Sequence, residues 1–152
     1  MTARSDRVLL VAAAAAALGG LAISAYLTVV HYAALPLVCT TTGVISCERV
    51  LGSPYSVIAG SGLPTSAAGI VWFSASAVLA GLQLARVPSP RLARWHLLWS
   101  VVGLGTVMFL VFVEIVQLGA ICVWCTSAHA LVVMSFLIAL TRAQSATAAT
   151  GD

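Results

Sequence analysis

Four apolar stretches, residues 8–30, 65–85, 95–118 and 121–140, dominate a chain of 152 residues. Each is long enough to cross a bilayer, for which about 20 residues suffice. Hydrocarbon offers no partner to a backbone N–H or C=O, so such stretches fold as helices that satisfy their own hydrogen bonds. Composition agrees, with 61% hydrophobic and 7% charged residues, against about a quarter charged in soluble domains. The expectation is an all-α protein, one integral membrane four-helix bundle over residues 1–152. An arginine-bearing start before an alanine run can also mark a signal peptide, but signal h-regions span about 7–15 residues. Here the apolar stretch continues from Val8 through Val30, which predicts a retained membrane helix.

Orientation follows from the arginines. Arg4 and Arg7 precede the first stretch, Arg86, Arg91 and Arg94 surround the second connection, and Arg142 follows the fourth stretch. If four helices alternate, these fall on one side and Arg49 alone on the other. The positive-inside rule makes the richer side cytoplasmic. Both termini are then cytoplasmic, and residues 31–64 form a long extracytoplasmic loop between the first two helices. The net charge of +3 is thereby a mark of topology, and no nucleic-acid partner is expected. Cys39 and Cys47 lie in the outer loop, while Cys122 and Cys125 open the last helix from the same face. That compartment permits disulfides.

The outer loop is long for a connection without structure of its own. Glycines and prolines punctuate it, yet "SCERVLGSPYSVIAG" is half apolar. A short amphipathic helix near 47–51, followed by a segment lying on the bundle as a lid, is predicted. Pro64 suits the first turn of the second membrane helix, and Gly119 a tight outer turn. Tyr26, Tyr32, Trp95 and Trp99 are placed as interfacial anchors. The alanine run 12–17 offers only small surfaces for close helix packing.

The chemistry resides in the cysteines. Cys122 and Cys125 are spaced to share a helix face, at a separation a disulfide can bridge. In the first turn of a helix, unpaired N–H groups and the dipole stabilise a thiolate, and a lowered thiol pKa makes the disulfide exchangeable. The bland alternative is an inert buried pair. Cys39 and Cys47 can close a small loop through the turn residues Thr40, Thr41, Thr42 and Gly43, either as a staple for the lid or as a shuttle. As a shuttle they would accept electrons from a partner and pass them to Cys122 by thiol–disulfide exchange. A zinc site is disfavoured because only one pair has the usual short spacing, so no metal is expected.

His129 lies four residues beyond Cys125, on the same helix face and about one turn deeper. There it can hydrogen-bond a ligand carbonyl or supply a proton, or simply bond to a neighbouring helix. Glu114 and Gln117, near the outer end of the third helix, are expected to contact solvent. His31 and His96 lie near helix ends and call for no special role.

"CTTTGVISCERVLGS", followed by "CVWC" at the start of the last helix, resembles the vitamin K epoxide reductase family, in particular a stand-alone bacterial member lacking the thioredoxin domain fused in some relatives. The resemblance extends over nearly the whole chain: a four-helix bundle, a first-loop cysteine pair with seven residues between, a serine six residues after the second cysteine, and the Cys-x-x-Cys. It implies a membrane enzyme that oxidises a dithiol partner, a thioredoxin-fold (DsbA-like) extracytoplasmic protein, and reduces a membrane quinone, menaquinone or ubiquinone, held under the lid. By position, Cys39 and Cys47 match the loop shuttle pair and Cys122 and Cys125 the quinone-side pair. Cys47 would bond transiently to Cys122, and Cys125 would face the quinone. Ser53 matches a serine or threonine beside the quinone, although Gly-Ser-Pro is also turn chemistry. Thr65 stands near the place of an asparagine, and His129 in the place of a tyrosine, in the vertebrate branch. Both departures point to a quinone acceptor over vitamin K epoxide. The rival readings are a DsbB-type oxidase, which carries its Cys-x-x-Cys in the first outer loop, and a non-catalytic tetraspan with structural disulfides.

Overall fold

A computed structural model describes residues 3–35, 37–39, 42–58, 60–85 and 89–148. Arg86 of the orientation argument, and Thr40 and Thr41 of the expected cysteine turn, lie outside the described residues. The architecture is helical: α1 (Ala3–Ala33), α2 (Cys47–Leu51), α3 (Thr65–Ala85), α4 (Pro90–Phe112) and α5 (Val123–Ala148). A 3-10 turn at Pro54–Ser56 follows α2, and a π-helical turn at Val113–Gln117 extends α4. Four helices are long and apolar enough to cross a membrane.

The second apolar stretch coincides with α3, and the short helix falls at 47–51 as expected. α1 outruns its apolar stretch at both ends, and α4 and α5 outrun theirs at the end away from the cysteines, because polarity alone does not end a helix whose backbone bonds are satisfied internally. Pro90 opens α4 at a position where its missing N–H has no helical partner, with Ser89 before it in extended conformation. Pro64, expected within the first turn of α3, instead precedes it and pairs in a β-bridge with Val57.

The long helices form a ring in which α1 packs on α3 and α5, and α4 completes it against α3 and α5. Without a hydrophobic force between helices in lipid, association rests on close packing and interhelical hydrogen bonds. Both are present. Gly20 of α1 lies directly under the Phe73 ring of α3, and Gly103 of α4 under Trp72, with no room for a Cβ at either. Thr28 and Ser66 join α1 to α3 through their hydroxyls at 2.8 Å. Trp72 and Trp99 exchange bonds across α3 and α4, each indole N–H donating to the other's backbone carbonyl at 3.2 and 3.1 Å. Trp99 is therefore not the interfacial anchor its position suggested. Large apolar side chains such as Val71, Leu98, Met108, Phe109 and Leu137 are left exposed on the outer surface, as suits hydrocarbon.

At the end of the bundle away from the cysteines, one side chain from each long helix enters a polar clasp. Arg142 of α5 grips Asp6 of α1, Nε donating to Oδ1 at 2.8 Å and Nη2 to Oδ2 at 3.2 Å. Its Nη1 donates to Gln83 Oε1 of α3. The Gln83 amide nitrogen donates to Leu79 O and lies 3.0 Å from His96 Nδ1 of α4. His96 is fully buried and does have a structural role: it is the α4 member of this clasp.

Candidate functional site

The two cysteine pairs are brought together by a short run of backbone bonds. Thr42 and Ile45 close a turn with reciprocal bonds of 3.1 and 2.9 Å, Gly43 taking a φ of +56° that favours glycine. Ile45 then runs parallel to Ile121. Ile121 N donates to Val44 O at 2.9 Å and Ser46 N to Ile121 O at 3.0 Å. One residue later in each strand comes a cysteine, Cys47 on one side and Cys122 on the other, both with no exposed surface. Cys47 is joined to Cys39 by a disulfide, with Cα atoms 6.2 Å apart; Cys39 is partly exposed. Residues 37–39 are held by the third residue of the Cys-x-x-Cys. Trp124 Nε1 donates to Val38 O at 2.9 Å, and its ring packs on Tyr26, centroids 5.0 Å apart. The Tyr26 hydroxyl in turn accepts from Val38 N. Tyr26 thus anchors the connection as well as lying near a helix end.

Cys122 and Cys125 are free thiols. The sequence placed Cys122 in the first turn of the last helix; the helix begins one residue later, and Cys122 is its N-cap. Its Sγ accepts from Cys125 N at 3.3 Å, the bond a capping serine or aspartate usually provides, and its carbonyl accepts from Thr126 N at 2.8 Å. The Cys122 thiol lies below the ordinary thiol range, chiefly because the Cys125 thiol hydrogen-bonds it; burial acts in the opposite sense.

Beneath the connection lies a cavity of about 430 Å³, within the range of small-molecule sites. Ser53, Thr65, Cys125 and His129 all line it, together with Glu114. The disulfide and Cys122 are not part of its wall. Ser53 donates its hydroxyl proton to Val50 O at 2.7 Å, and Thr65 donates to Tyr55 O at 3.2 Å. Each hydroxyl therefore braces the connection and retains only acceptor capacity toward the cavity. The rest of the wall is largely apolar, including Leu27, Phe73, Val107 and Val132. Buried His129 Nδ1 has no hydrogen-bond partner among the described residues. An apolar chamber with one orphaned polar atom fits a flat ring carrying a carbonyl, such as a quinone.

Glu114 was expected at the solvent interface but is buried at 5% exposure, and its carboxylate takes a hydrogen bond from the Cys122 backbone. A signal was present: Gly103, Val107, Leu110 and Glu114 recur at helical spacing, and all four line the cavity. Gln117 is exposed, as expected. His31, given no role, lies at the cavity edge. Among the described residues, no three His, Cys, Asp or Glu side chains are grouped to hold a metal ion.

The model of the vitamin K epoxide reductase family matches residues 11–140. The chain belongs to that family. A search of curated proteins returned no match. Membership in the vitamin K epoxide reductase family, with four membrane-length helices, makes this a multi-pass membrane oxidoreductase of thiols and disulfides. Proteins of this family generally work with quinones and thioredoxin-like partners.

Proposed function

We propose that this protein oxidises an extracytoplasmic dithiol protein of thioredoxin fold and reduces a membrane quinone, supporting disulfide formation outside the cytoplasm. In this reading the bundle sits in a bacterial plasma membrane with both termini cytoplasmic, and the 31–64 connection is a lid on the outer face. The observation that carries it is the placement of Cys125 on the cavity wall with Cys122 buried behind it, next to the disulfide-bonded Cys47.

The relay runs by thiol–disulfide exchange. A partner thiolate attacks the Cys39–Cys47 disulfide at Cys39, the partly exposed residue of the pair, and releases Cys47 as a thiolate. The partner's second thiol resolves that mixed disulfide and frees Cys39. Cys47 attacks Cys122 in a Cys122–Cys125 disulfide, releasing Cys125 at the cavity wall. Cys39 then attacks Cys47, restoring the loop disulfide and leaving Cys122 and Cys125 reduced, which is the bonding found here. A bound quinone, menaquinone or ubiquinone, supplies the two-electron acceptor. Around it, His129 offers its unpartnered ring nitrogen, Ser53 and Thr65 brace the lid, and the apolar wall excludes water.

Purified protein with a reduced dithiol donor consumes quinone, and Cys125→Ala abolishes this without preventing folding. Cys39→Ala impairs a protein donor more than dithiothreitol. Equal loss with both donors contradicts the shuttle role.

A further inference from the structure

Among the described residues, buried Glu114 is an ionisable group used neither by the relay nor by the clasp. Glu114 lies in the π-helical turn at the end of α4, a distortion frequent at functional sites, where it continues the inward stripe of Val107 and Leu110 into the cavity. Its carboxylate meets the Cys122 backbone N–H and is near enough to act electrostatically on both thiols. Among the described residues no cation pairs with it; the ion pair found is Arg142–Asp6, at the far end of the bundle. An ionisable side chain at membrane depth is costly to keep, and such groups mark proton pathways. The titratable groups facing it across the cavity are Cys125 and His129 of α5, His31 of α1 and Tyr55 of the connection; α3 offers only Thr65 and Ser66 among hydroxyls.

Cys122 is built to carry negative charge, since its sulfur accepts hydrogen bonds from both the backbone and the thiol of Cys125. A thiolate and a carboxylate side by side out of water repel strongly. One negative charge and one proton between the two acids is the arrangement that avoids this repulsion. We infer that Glu114 stores the proton given up by Cys122 and delivers it to the cavity when the thiol pair is oxidised.

The step balances. The reduced site holds Cys122 as thiolate, Cys125 as thiol and Glu114 as carboxylic acid. Forming the Cys122–Cys125 bond releases two electrons and the Cys125 proton, Glu114 releases a second proton, and a carboxylate remains. The electrons and both protons go to the quinone-class acceptor, which leaves as quinol, and net charge is unchanged. Glu114 is in this sense the acid that completes the reduction, an inference that rests on the quinone-coupled reading.

Infrared difference spectroscopy tests it without quinone. Reduced protein should show the C=O stretching band of a protonated carboxyl, lost when diamide oxidises Cys122 and Cys125 and missing from Glu114→Gln. That variant keeps an acceptor for the Cys122 N–H, and its thermal midpoint reports folding. With quinone, Glu114→Gln should turn over about a hundredfold more slowly at unchanged quinone KM, with Glu114→Asp restoring part of the rate. A band that is absent, insensitive to oxidation or retained in Glu114→Gln overturns the assignment, as does a Glu114→Gln enzyme of full rate. If wild type consumes no quinone, the quinone reading falls, while the infrared band still decides where the proton resides.

Discussion

Ser46 donates its backbone N–H to the carbonyl of Ile121 at 3.0 Å, and each of these residues is followed directly by a fully buried cysteine. With the bond from Ile121 N to Val44 O, it fixes the register between the 31–64 connection and the start of α5, where the proposed relay exchanges sulfurs. It predicts the outcome of removing the outer member of each pair. In Cys39→Ala combined with Cys125→Ala, Cys47 and Cys122 should join in a stable disulfide on mild oxidation, detected by mass spectrometry of a non-reduced digest. Recovery of both as free thiols would contradict the exchange partnership.

Trp124 ties the Cys39 segment to α5 through its indole N–H on Val38 O. Trp124→Phe keeps the ring against Tyr26 but removes that bond, a net loss of about 1 kcal/mol. The segment should open more often, and the Cys39–Cys47 disulfide should be reduced by dithiothreitol roughly fivefold faster. Thiol trapping over time gives the rate, and an unchanged rate would show that the tether does not guard the bond.

The Cys122 thiol should ionise below the ordinary thiol value of about 8.5, because the Cys125 thiol hydrogen-bonds its sulfur. Its lowered value contributes stability above the ordinary thiol range, and that contribution fades as pH falls through the lowered value. Cys125→Ala removes the donor, so Cys122 should then titrate at higher pH. The Cβ resonance of isotope-labelled Cys122 reads this without a reagent having to reach a buried sulfur.

Arg142 is 6% exposed and Asp6 26%, and their pair carries Gln83 and, through it, His96. Arg142→Met strands Asp6 and breaks the clasp across all four long helices. Breaking a buried pair by removing one partner costs about 3–5 kcal/mol; the partial exposure of Asp6 places this near the lower end. Thermal unfolding in detergent should show a clear loss, partly recovered by adding Asp6→Ala. Turnover of the folded fraction should persist, since the clasp lies far from the sulfurs.

Gly20→Ala would drive a Cβ into the Phe73 ring at the α1–α3 contact. Overpacking of this kind costs about 1–3 kcal/mol. The expected reading is a lowered unfolding midpoint, while Gly81→Ala, with open space around its Cβ position, should leave it unchanged.

Much of the site was legible because its signals are local. The spans, the turn at Gly119, the short helix at Cys47–Leu51 and the cysteine pattern all follow from spacing and hydropathy. His129 followed from standing one turn beyond Cys125. Glu114, Trp99 and His96 were misplaced, and for a shared reason: each lies near the end of an apolar stretch, where sequence distance cannot separate a residue facing headgroups from one turned into the bundle. Tyr26 and Trp124 gave no sign of holding the 31–64 connection, since their partner Val38 is met through its backbone.

The chain by itself determined that four helices would cross hydrocarbon, because unpaired backbone groups there leave no alternative, and that two cysteine pairs would lie at the same end. Only the tertiary structure decided which faces meet. Lipid tails and a protein interior are equally apolar, so hydropathy cannot say which side of a helix is inward. That choice was made by a glycine under a ring, two indoles exchanging bonds, a shared arginine and a carboxylate turned toward the Cys122 backbone.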